Sequence, residues 1–91
     1  MDDLDKLIKQ SEDERIGFWW YLARKVRERA ALSRAELAWE VGYKGKNEGR
    51  AAYYIEVYEE RGVIPNPNLK SSFARKYIEW LKVQGYNPFG L

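Results

Sequence analysis

The sequence predicts an all-α fold, a compact bundle of about five short helices in a single domain over residues 1–91. Apolar residues recur at three- and four-residue spacing in successive segments, which is the helical period. Capping residues, glycine and proline separate these segments. Hydrophobic residues make up 45% of the chain and aromatic residues 15%. This composition is sufficient for a packed core and argues against intrinsic disorder.

The N-terminal third predicts two helices. The first is expected over 3–9, where three apolar side chains share one face: Leu4, Leu7 and Ile8. Ser11 and Glu14 have the spacing of a capping box, so a second helix is expected to start anew and to run over 12–30. The apolar stripe of this second helix is predicted to comprise Ile16, Trp19, Trp20, Ala23, Val26 and Ala30.

The next segment is typical of the first half of a helix-turn-helix. Ser33 is a good N-cap, and Glu36 stands at the capping-box position of a third helix expected over 34–41. Gly42 follows where a glycine lets the chain reverse in a left-handed conformation. The buried face is predicted to carry Leu37, Ala38 and Val41. A short helix followed by a tight turn is the unit that presents a second helix to the major groove of DNA.

The second half of the motif follows a glycine-rich turn. Residues 42–49 contain three glycines, and Asn47 is expected to cap a fourth helix over 48–61 that Gly62 closes. Its buried stripe is predicted to be Ala51, Tyr54, Ile55 and Tyr58. Its outer face is predicted to carry Arg50, Tyr53 and Val57.

The C-terminal third predicts a fifth helix and a tail. Asn66 and Pro67 favour the start of a helix over 67–84. Its apolar residues are Leu69, Phe73, Ala74, Tyr77, Ile78 and Leu81. The tail over 85–91 has too many helix breakers to be helical, and its aromatic residues are expected to pack on the domain or on a partner. The domain thus divides into an acidic N-terminal helix or arm (1–11), a helix-turn-helix core (12–84) and an aromatic tail (85–91).

Charge is distributed unevenly along the chain. The net charge is −4 over residues 1–14, +5 over 15–50 and +1 over 51–91, although the whole chain carries only +2. The positive excess coincides with the helix-turn-helix segment. Basic residues there are expected to lie against the phosphates of a nucleic acid.

Residue types that are absent exclude several classes of function. The chain has no cysteine and no histidine, so it offers no disulfide, no thiolate or imidazole metal site, and no nucleophile–base pair of the usual kind. Its glycines do not form a phosphate-binding loop. We therefore expect no enzymatic activity, no metal, no cofactor and no small-molecule substrate. The sequence shows neither a membrane span nor a signal peptide, which predicts a cytoplasmic protein.

Several stretches occur in an order that is typical of one family of DNA-binding domains. They are Leu22-Ala23-Arg24-Lys25-Val26-Arg27-Glu28, Leu32-Ser33, Glu36-Leu37-Ala38, Gly42, Tyr54-Ile55-Glu56 or the later Glu60-Arg61-Gly62, and Asn66-Pro67-Asn68-Leu69. Over about residues 20–82 the chain resembles lambda-repressor-like helix-turn-helix domains, the phage repressor and Cro class that is also called XRE-like. The resemblance implies sequence-specific binding of double-stranded DNA by a small transcriptional regulator. The segment 43–49 departs from the family as an insertion of about four to eight residues, so base-reading positions do not transfer one by one.

A second, weaker resemblance concerns residues 58–65, which are similar to the end of the recognition helix in MerR-type regulators. Those proteins begin with their helix-turn-helix and follow it with a wing. This chain has a long helix before the motif and no evident wing. Both families imply DNA binding.

The candidate DNA-binding residues lie around the turn and the start of the fourth helix. Arg50 is suited to guanine and Asn47 to adenine, although a simple helix cap also explains the asparagine. Lys44 and Lys46 are expected to meet phosphates, and Arg34 is expected where its helix crosses the sugar-phosphate backbone. The full set is Arg34, Lys44, Lys46, Asn47, Arg50 and Tyr53, of which the tyrosine equally fits packing at the rim of the core.

Partners follow from the same patterns. A DNA-binding domain of this size reads few base pairs, so a homodimer on paired half-sites is expected, pairing through the fifth helix and the tail around Trp80, Tyr86 and Phe89. Trp19 and Trp39 are candidates for an exposed patch. The alternative function is a helical protein–protein interaction module, whose working surfaces would be the acidic start and the aromatic tail.

Overall fold

The computed structural model describes residues 3–14, 19–66 and 73–89, and these residues form five α-helices and no strand. The helices are α1 (Asp3–Glu14), α2 (Trp19–Arg29), α3 (Arg34–Glu40), α4 (Glu48–Arg61) and α5 (Phe73–Val83). Buried side chains from all five helices and from the C-terminal tail form one core. The predicted all-α class is confirmed. No helix in the described part of the chain is both long enough and apolar enough to cross a membrane.

The predicted capping box at the start of α3 is present. Ser33 Oγ accepts a hydrogen bond from the backbone N–H of Glu36 at 3.0 Å, and Glu36 Oε1 accepts one from the backbone N–H of Ser33 at 2.9 Å. Gly42 has a φ of +106°, the left-handed conformation predicted after this helix. Local sequence signals therefore define both ends of α3.

Helices α3 and α4 form the most extensive helix–helix contact among the described residues. Small residues on both helices are fully or almost fully buried, which lets their backbones approach closely. They are Ala35, Ala38 and Ala51. Leu37 and Ile55 fill the remaining space and are also fully buried. This pair fixes how α4 is presented to solvent.

The predicted helix start near residue 12 is wrong, because α1 continues through Ser11 to Glu14. A capping box acts only when the residue at the cap leaves the helical conformation. Here the chain remains helical at Ser11, so the short-range pattern is not used. Helix α2 begins at Trp19 within the described residues, and Ile16 of the predicted stripe lies outside them.

The predicted exposure of Trp19 is wrong, and the predicted packing of the tail is confirmed on the domain itself. Trp19 is only 9% exposed and packs edge-to-face on Phe89 at a ring-centroid distance of 5.1 Å. The hydroxyl of Tyr86 donates a hydrogen bond to the backbone oxygen of Trp19 at 3.2 Å. Because Tyr86 is buried in the core, it is not available to a dimer surface.

Helix α4 buries a different stripe from the one predicted. Ala51 and Ile55 are buried as expected, but Tyr54 is 44% exposed and Glu59 is buried. Residues at positions i, i+4 and i+8 lie on one face of a helix, and this face takes in Glu59 rather than Tyr54. The predicted closure by Gly62 is confirmed by its left-handed φ of 64°.

The described part of α5 confirms the predicted apolar face. Its buried residues are Ala74, Tyr77, Ile78 and Leu81. The helix is predicted to start at Asn66 and Pro67. Pro67 and the predicted core residue Leu69 belong to the segment 67–72, which lies outside the described residues.

Candidate nucleic-acid interface

The turn between α3 and α4, residues 41–47, is held by contacts to Tyr43 within it and to Trp39 at the end of α3. Trp39 Nε1 donates a hydrogen bond to the backbone oxygen of Gly45 at 2.8 Å. The Tyr43 ring lies directly over Gly45, since a Cβ at that position would stand 2.5 Å from the tyrosine hydroxyl oxygen. The backbone N–H of Tyr43 also bonds to the Ala38 oxygen at 2.9 Å. The turn therefore has a defined shape despite its glycines.

Three basic side chains on this turn and on the first turn of α4 are exposed. They are Lys44, Lys46 and Arg50. None of the three forms an ion pair with another described residue. Glu48 is the only acidic residue between positions 41 and 55. Uncompensated positive charge of this kind attracts phosphate.

Asn47 is the N-cap of α4, as predicted. Its Oδ1 accepts a hydrogen bond from the backbone N–H of Arg50 at 2.9 Å. A bidentate pair with adenine requires both the oxygen and the nitrogen of the side-chain amide. The oxygen is already engaged, so the structure gives Asn47 the capping role and leaves only its amide N–H groups to a ligand.

Exposed aromatic rings lie on the same helix as Arg50, directly after the turn that carries the two lysines. Tyr53 is 47% exposed and lies edge-on to Tyr54 with 6.4 Å between ring centroids. Tyr54 in turn contacts Tyr43 on the turn at 5.1 Å and Phe73 of α5 at 5.6 Å. We call the exposed set the basic–aromatic surface. Its members are Trp39, Lys44, Lys46, Arg50, Tyr53 and Tyr54.

Arg34 does not belong to this surface. Its Nε donates to Glu59 Oε1 at 3.0 Å, its Nη2 donates to Glu60, and its Nη1 lies 3.6 Å from Glu56 Oε1. Partial burial by itself lowers the pKa of Arg34, but the hydrogen bonds to Glu60 and Glu59 outweigh it and raise the pKa above its ordinary value. The structure thus places this predicted phosphate contact in an internal ion-pair network.

Glu59 is a residue whose burial the sequence analysis did not predict. Its side chain is fully buried, and Arg27 donates to both of its carboxylate oxygens, from Nε at 2.7 Å and from Nη2 at 3.1 Å. Arg27 also donates from Nη1 to the backbone oxygen of Leu32 at 2.8 Å. Together with Arg34, these contacts join α2, α3 and α4 around one carboxylate. Its spacing of four residues from Ile55 is the signal that could have indicated burial.

Most other positive charges of residues 15–50 that the structure describes are also compensated internally. Arg24 and Lys25 lie 3.7 Å and 3.8 Å from Glu28. Arg29 donates to Asp5 of α1 at 2.8 Å and to the backbone oxygen of Gln84 at 3.0 Å. The uncompensated charge in this region is therefore concentrated on the basic–aromatic surface.

The chain matches no protein-family model, no curated protein and no solved structure. Its function is therefore inferred from the charge and geometry of this surface.

Proposed function

We propose that the chain binds double-stranded DNA through α3, the following turn and α4, as a helix-turn-helix of the lambda-repressor-like kind in a small transcriptional regulator. The observation that carries the proposal is a group of three exposed cations on the turn and the start of α4, Lys44, Lys46 and Arg50, which have no ion-pair partner among the described residues. Lysine and arginine side chains that neutralise phosphates supply most non-specific DNA affinity. A recognition helix contacts bases through its N-terminal residues, which is where Arg50 lies.

Four residues of the basic–aromatic surface are assigned to two roles. Lys44 and Lys46 lie on the turn before α4 and are assigned to phosphates, which position the helix without reading sequence. Arg50 and Tyr53 are three residues apart on α4, so they share one face of the helix. They are assigned to base edges, where an arginine pairs with guanine through two hydrogen bonds.

The later half of α4 supports the same orientation. Glu56 and Glu60 are exposed there, and their carboxylates repel phosphate. Arg34 neutralises part of this charge from α3. DNA is therefore expected to approach the first two turns of α4 and the preceding turn, and the proposed role of Arg34 is to hold α4 in place.

The proposed regulator acts in the cytoplasm as a homodimer. A dimer is expected because two-fold symmetric proteins read paired half-sites about one helical turn apart. The exposed edge of α5 supports it as the pairing surface. Val83 is 82% exposed and lines a shallow groove with Trp80 and with Val41 of the α3 end. Sedimentation of the wild-type protein and of Val83→Glu tests this, and a monomer in both cases contradicts it.

The function is tested by titrating labelled random-sequence duplex DNA at about 50 and 200 mM salt. We expect affinity to fall steeply with salt. In Lys44→Ala/Lys46→Ala the slope of log affinity against log salt should shrink by about two, one unit for each phosphate that the protein no longer neutralises. The matched control is Lys6→Ala/Lys9→Ala, which changes net charge equally but on the exposed side of α1. Absence of binding at low salt, or an equal decrease in the control, contradicts the proposal.

The second candidate is a protein–protein interaction module. Val63 and Ile64, directly after α4, are 45% and 69% exposed, and adjacent exposed apolar side chains favour a protein partner. This function predicts association with a protein that is insensitive to salt, together with no binding to duplex DNA.

A further inference from the structure

We propose that Trp39 is a positioning residue for DNA binding, because its indole N–H holds the turn in the shape that presents Lys44 and Lys46. This inference rests on the proposed DNA-binding function. In this proposal Trp39 acts without contacting DNA. It holds the turn in its binding conformation before DNA is bound.

The side chain of Trp39 has an arrangement that packing alone does not explain. It extends from the last turn of α3, remains 40% exposed, and donates its only N–H to the backbone oxygen of Gly45 at 2.8 Å. A tryptophan placed only for hydrophobic burial would be expected to lie deeper in the core. Here a rigid ring with two rotatable bonds spans from the helix to the middle of the turn.

Gly45 is also fixed by a second aromatic ring. A Cβ at Gly45 would lie 2.5–2.9 Å from three ring and hydroxyl atoms of Tyr43, which is closer than any side chain tolerates without movement. The backbone at this position therefore has the Trp39 hydrogen bond on its oxygen and the Tyr43 ring against its α-carbon. Two independent contacts meet at one residue.

Clamping Gly45 acts on both lysines because they are its chain neighbours. Lys44 and Lys46 have no ion-pair partner of their own among the described residues. Without the clamp, a glycine-rich turn samples many conformations, and DNA binding must order it. With the clamp, that ordering is already complete in the free protein, which raises affinity without adding a contact.

The test compares wild type, Trp39→Phe and Tyr21→Phe. Trp39→Phe keeps an aromatic ring and removes the N–H donor, whereas Tyr21→Phe alters a 51%-exposed aromatic residue on α2 as a control. We expect lower NMR backbone order parameters at residues 44–46 in free Trp39→Phe and about 3- to 10-fold weaker DNA binding. The salt slope should equal that of wild type, because both lysines still reach their phosphates. A purely structural role would lower thermal stability without selectively lowering the order parameters of the turn.

Gly45→Ala provides a second variant with the indole donor intact. The added methyl group must displace the Tyr43 ring, so the same decrease in order parameters and the same decrease in affinity are expected.

The outcomes separate the two proposals. Lower order parameters in the turn with weaker binding and an unchanged salt slope support the positioning role. Wild-type affinity in Trp39→Phe overturns the positioning role and leaves DNA binding intact. Absence of DNA binding by the wild-type protein overturns both.

Discussion

Two buried tyrosines of the same core differ in what their hydroxyl groups meet. Tyr77 of α5 stacks on Tyr58 with 4.6 Å between ring centroids, and its hydroxyl has no hydrogen-bond partner among the described residues. Burial raises the pKa of this hydroxyl well above its ordinary value, so it stays protonated. Tyr86 instead donates to the backbone oxygen of Trp19. The two positions therefore predict opposite effects for the same substitution.

Tyr77→Phe should leave the free energy of unfolding unchanged or raise it by up to about 1 kcal/mol, because it removes a buried hydroxyl that lacks a partner. Tyr86→Phe should lower the free energy of unfolding by about 1 kcal/mol, because it removes the buried hydrogen bond to the backbone oxygen of Trp19. Urea denaturation of both variants measures the difference. Equal decreases would show that the Tyr77 hydroxyl has a partner.

The capping box of α3 predicts a pH dependence of stability. The backbone N–H of Ser33 donates a hydrogen bond to the Glu36 carboxylate, and this bond is the main cause that lowers the pKa of Glu36 below its ordinary value of 4.5. Hydrogen bonding by the Ser33 hydroxyl lowers the pKa further. A carboxyl whose pKa is lowered by folding stabilises the fold above its unfolded pKa. That contribution should disappear as the pH falls from about 4.5 through the lowered pKa.

We therefore expect Glu36→Gln to be less stable than wild type at pH 7 and to approach it in stability at acidic pH, where wild-type Glu36 is protonated. Thermal unfolding between about pH 3 and 7 measures this convergence. Ser33→Ala should lower the free energy of unfolding by about 1 kcal/mol at neutral pH through loss of the N-cap. Parallel pH profiles for wild type and Glu36→Gln would contradict the assignment.

At the scale of the helices, the orientation of α4 depends on one buried carboxylate. Glu59 has a fully buried side chain, and Arg27 and Arg34 reach it from α2 and α3 with 12% and 24% of their side chains exposed. Each of the three charges is compensated only while the three helices remain together. Removing one member leaves a buried charge without that partner. The resulting loss of stability is larger than the net stabilisation that the intact ion pair provides.

Glu59→Ala should lower the free energy of unfolding by about 3–5 kcal/mol. Glu60→Ala is the matched control on the same helix, and its side chain is 52% exposed. It should change stability by less than about 1 kcal/mol, because exposed ion pairs contribute little. Urea denaturation tests both variants. Similar decreases for the two would show that Glu59 does not join the helices as described.

Local chemistry explains how much of the fold the sequence predicts. The caps at Ser33 and Asn47 and the left-handed glycines at 42 and 62 depend on residues within one helical turn, and all were predictable. The false start at Ser11 has the same local signal. Only the continuation of the helix around it decides whether the signal is used, and that depends on tertiary packing.

The candidate site was predictable where exposure alone matters. Lys44, Lys46, Arg50 and Tyr53 follow from their place on the turn and on the outer face of α4. The ion pairs of Arg34 were not predictable, because its partners lie more than 20 residues away in the chain, and a count of charges along the sequence does not show such pairs.

At the scale of the whole molecule, ion pairing leaves the unmatched cations of the described part of residues 15–50 on one surface. The net charge is only +2, yet most described cations of residues 15–50 contact a carboxylate, whereas those of the basic–aromatic surface do not. Local unmatched charge, rather than net charge, determines where a polyanion associates. Under the proposed function, the acidic α1 is expected to remain away from DNA, because its negative charge repels the phosphates.

Arg50→Ala should relax sequence preference. Loss of an arginine that pairs with guanine weakens binding to the preferred duplex by about 1–3 kcal/mol and affects random duplex much less. The measurement is a competition assay, in which a duplex selected for tight binding and a random-sequence duplex compete for labelled protein. Arg61→Ala, an exposed arginine in the last turn of the same helix, is the control. An equal decrease on both duplexes would reassign Arg50 to phosphate.

The division of α4 into two faces has a consequence for sequence divergence. Ala51, Ile55 and Glu59 anchor the helix, while Arg50 and Tyr53 are exposed. Exposed side chains outside caps and cores can be exchanged with little effect on stability. Under the proposed function, homologous chains would acquire new DNA-sequence preferences by changing the outer face alone. The same separation makes this domain a scaffold in which positions 50 and 53 can be randomised without re-engineering the core.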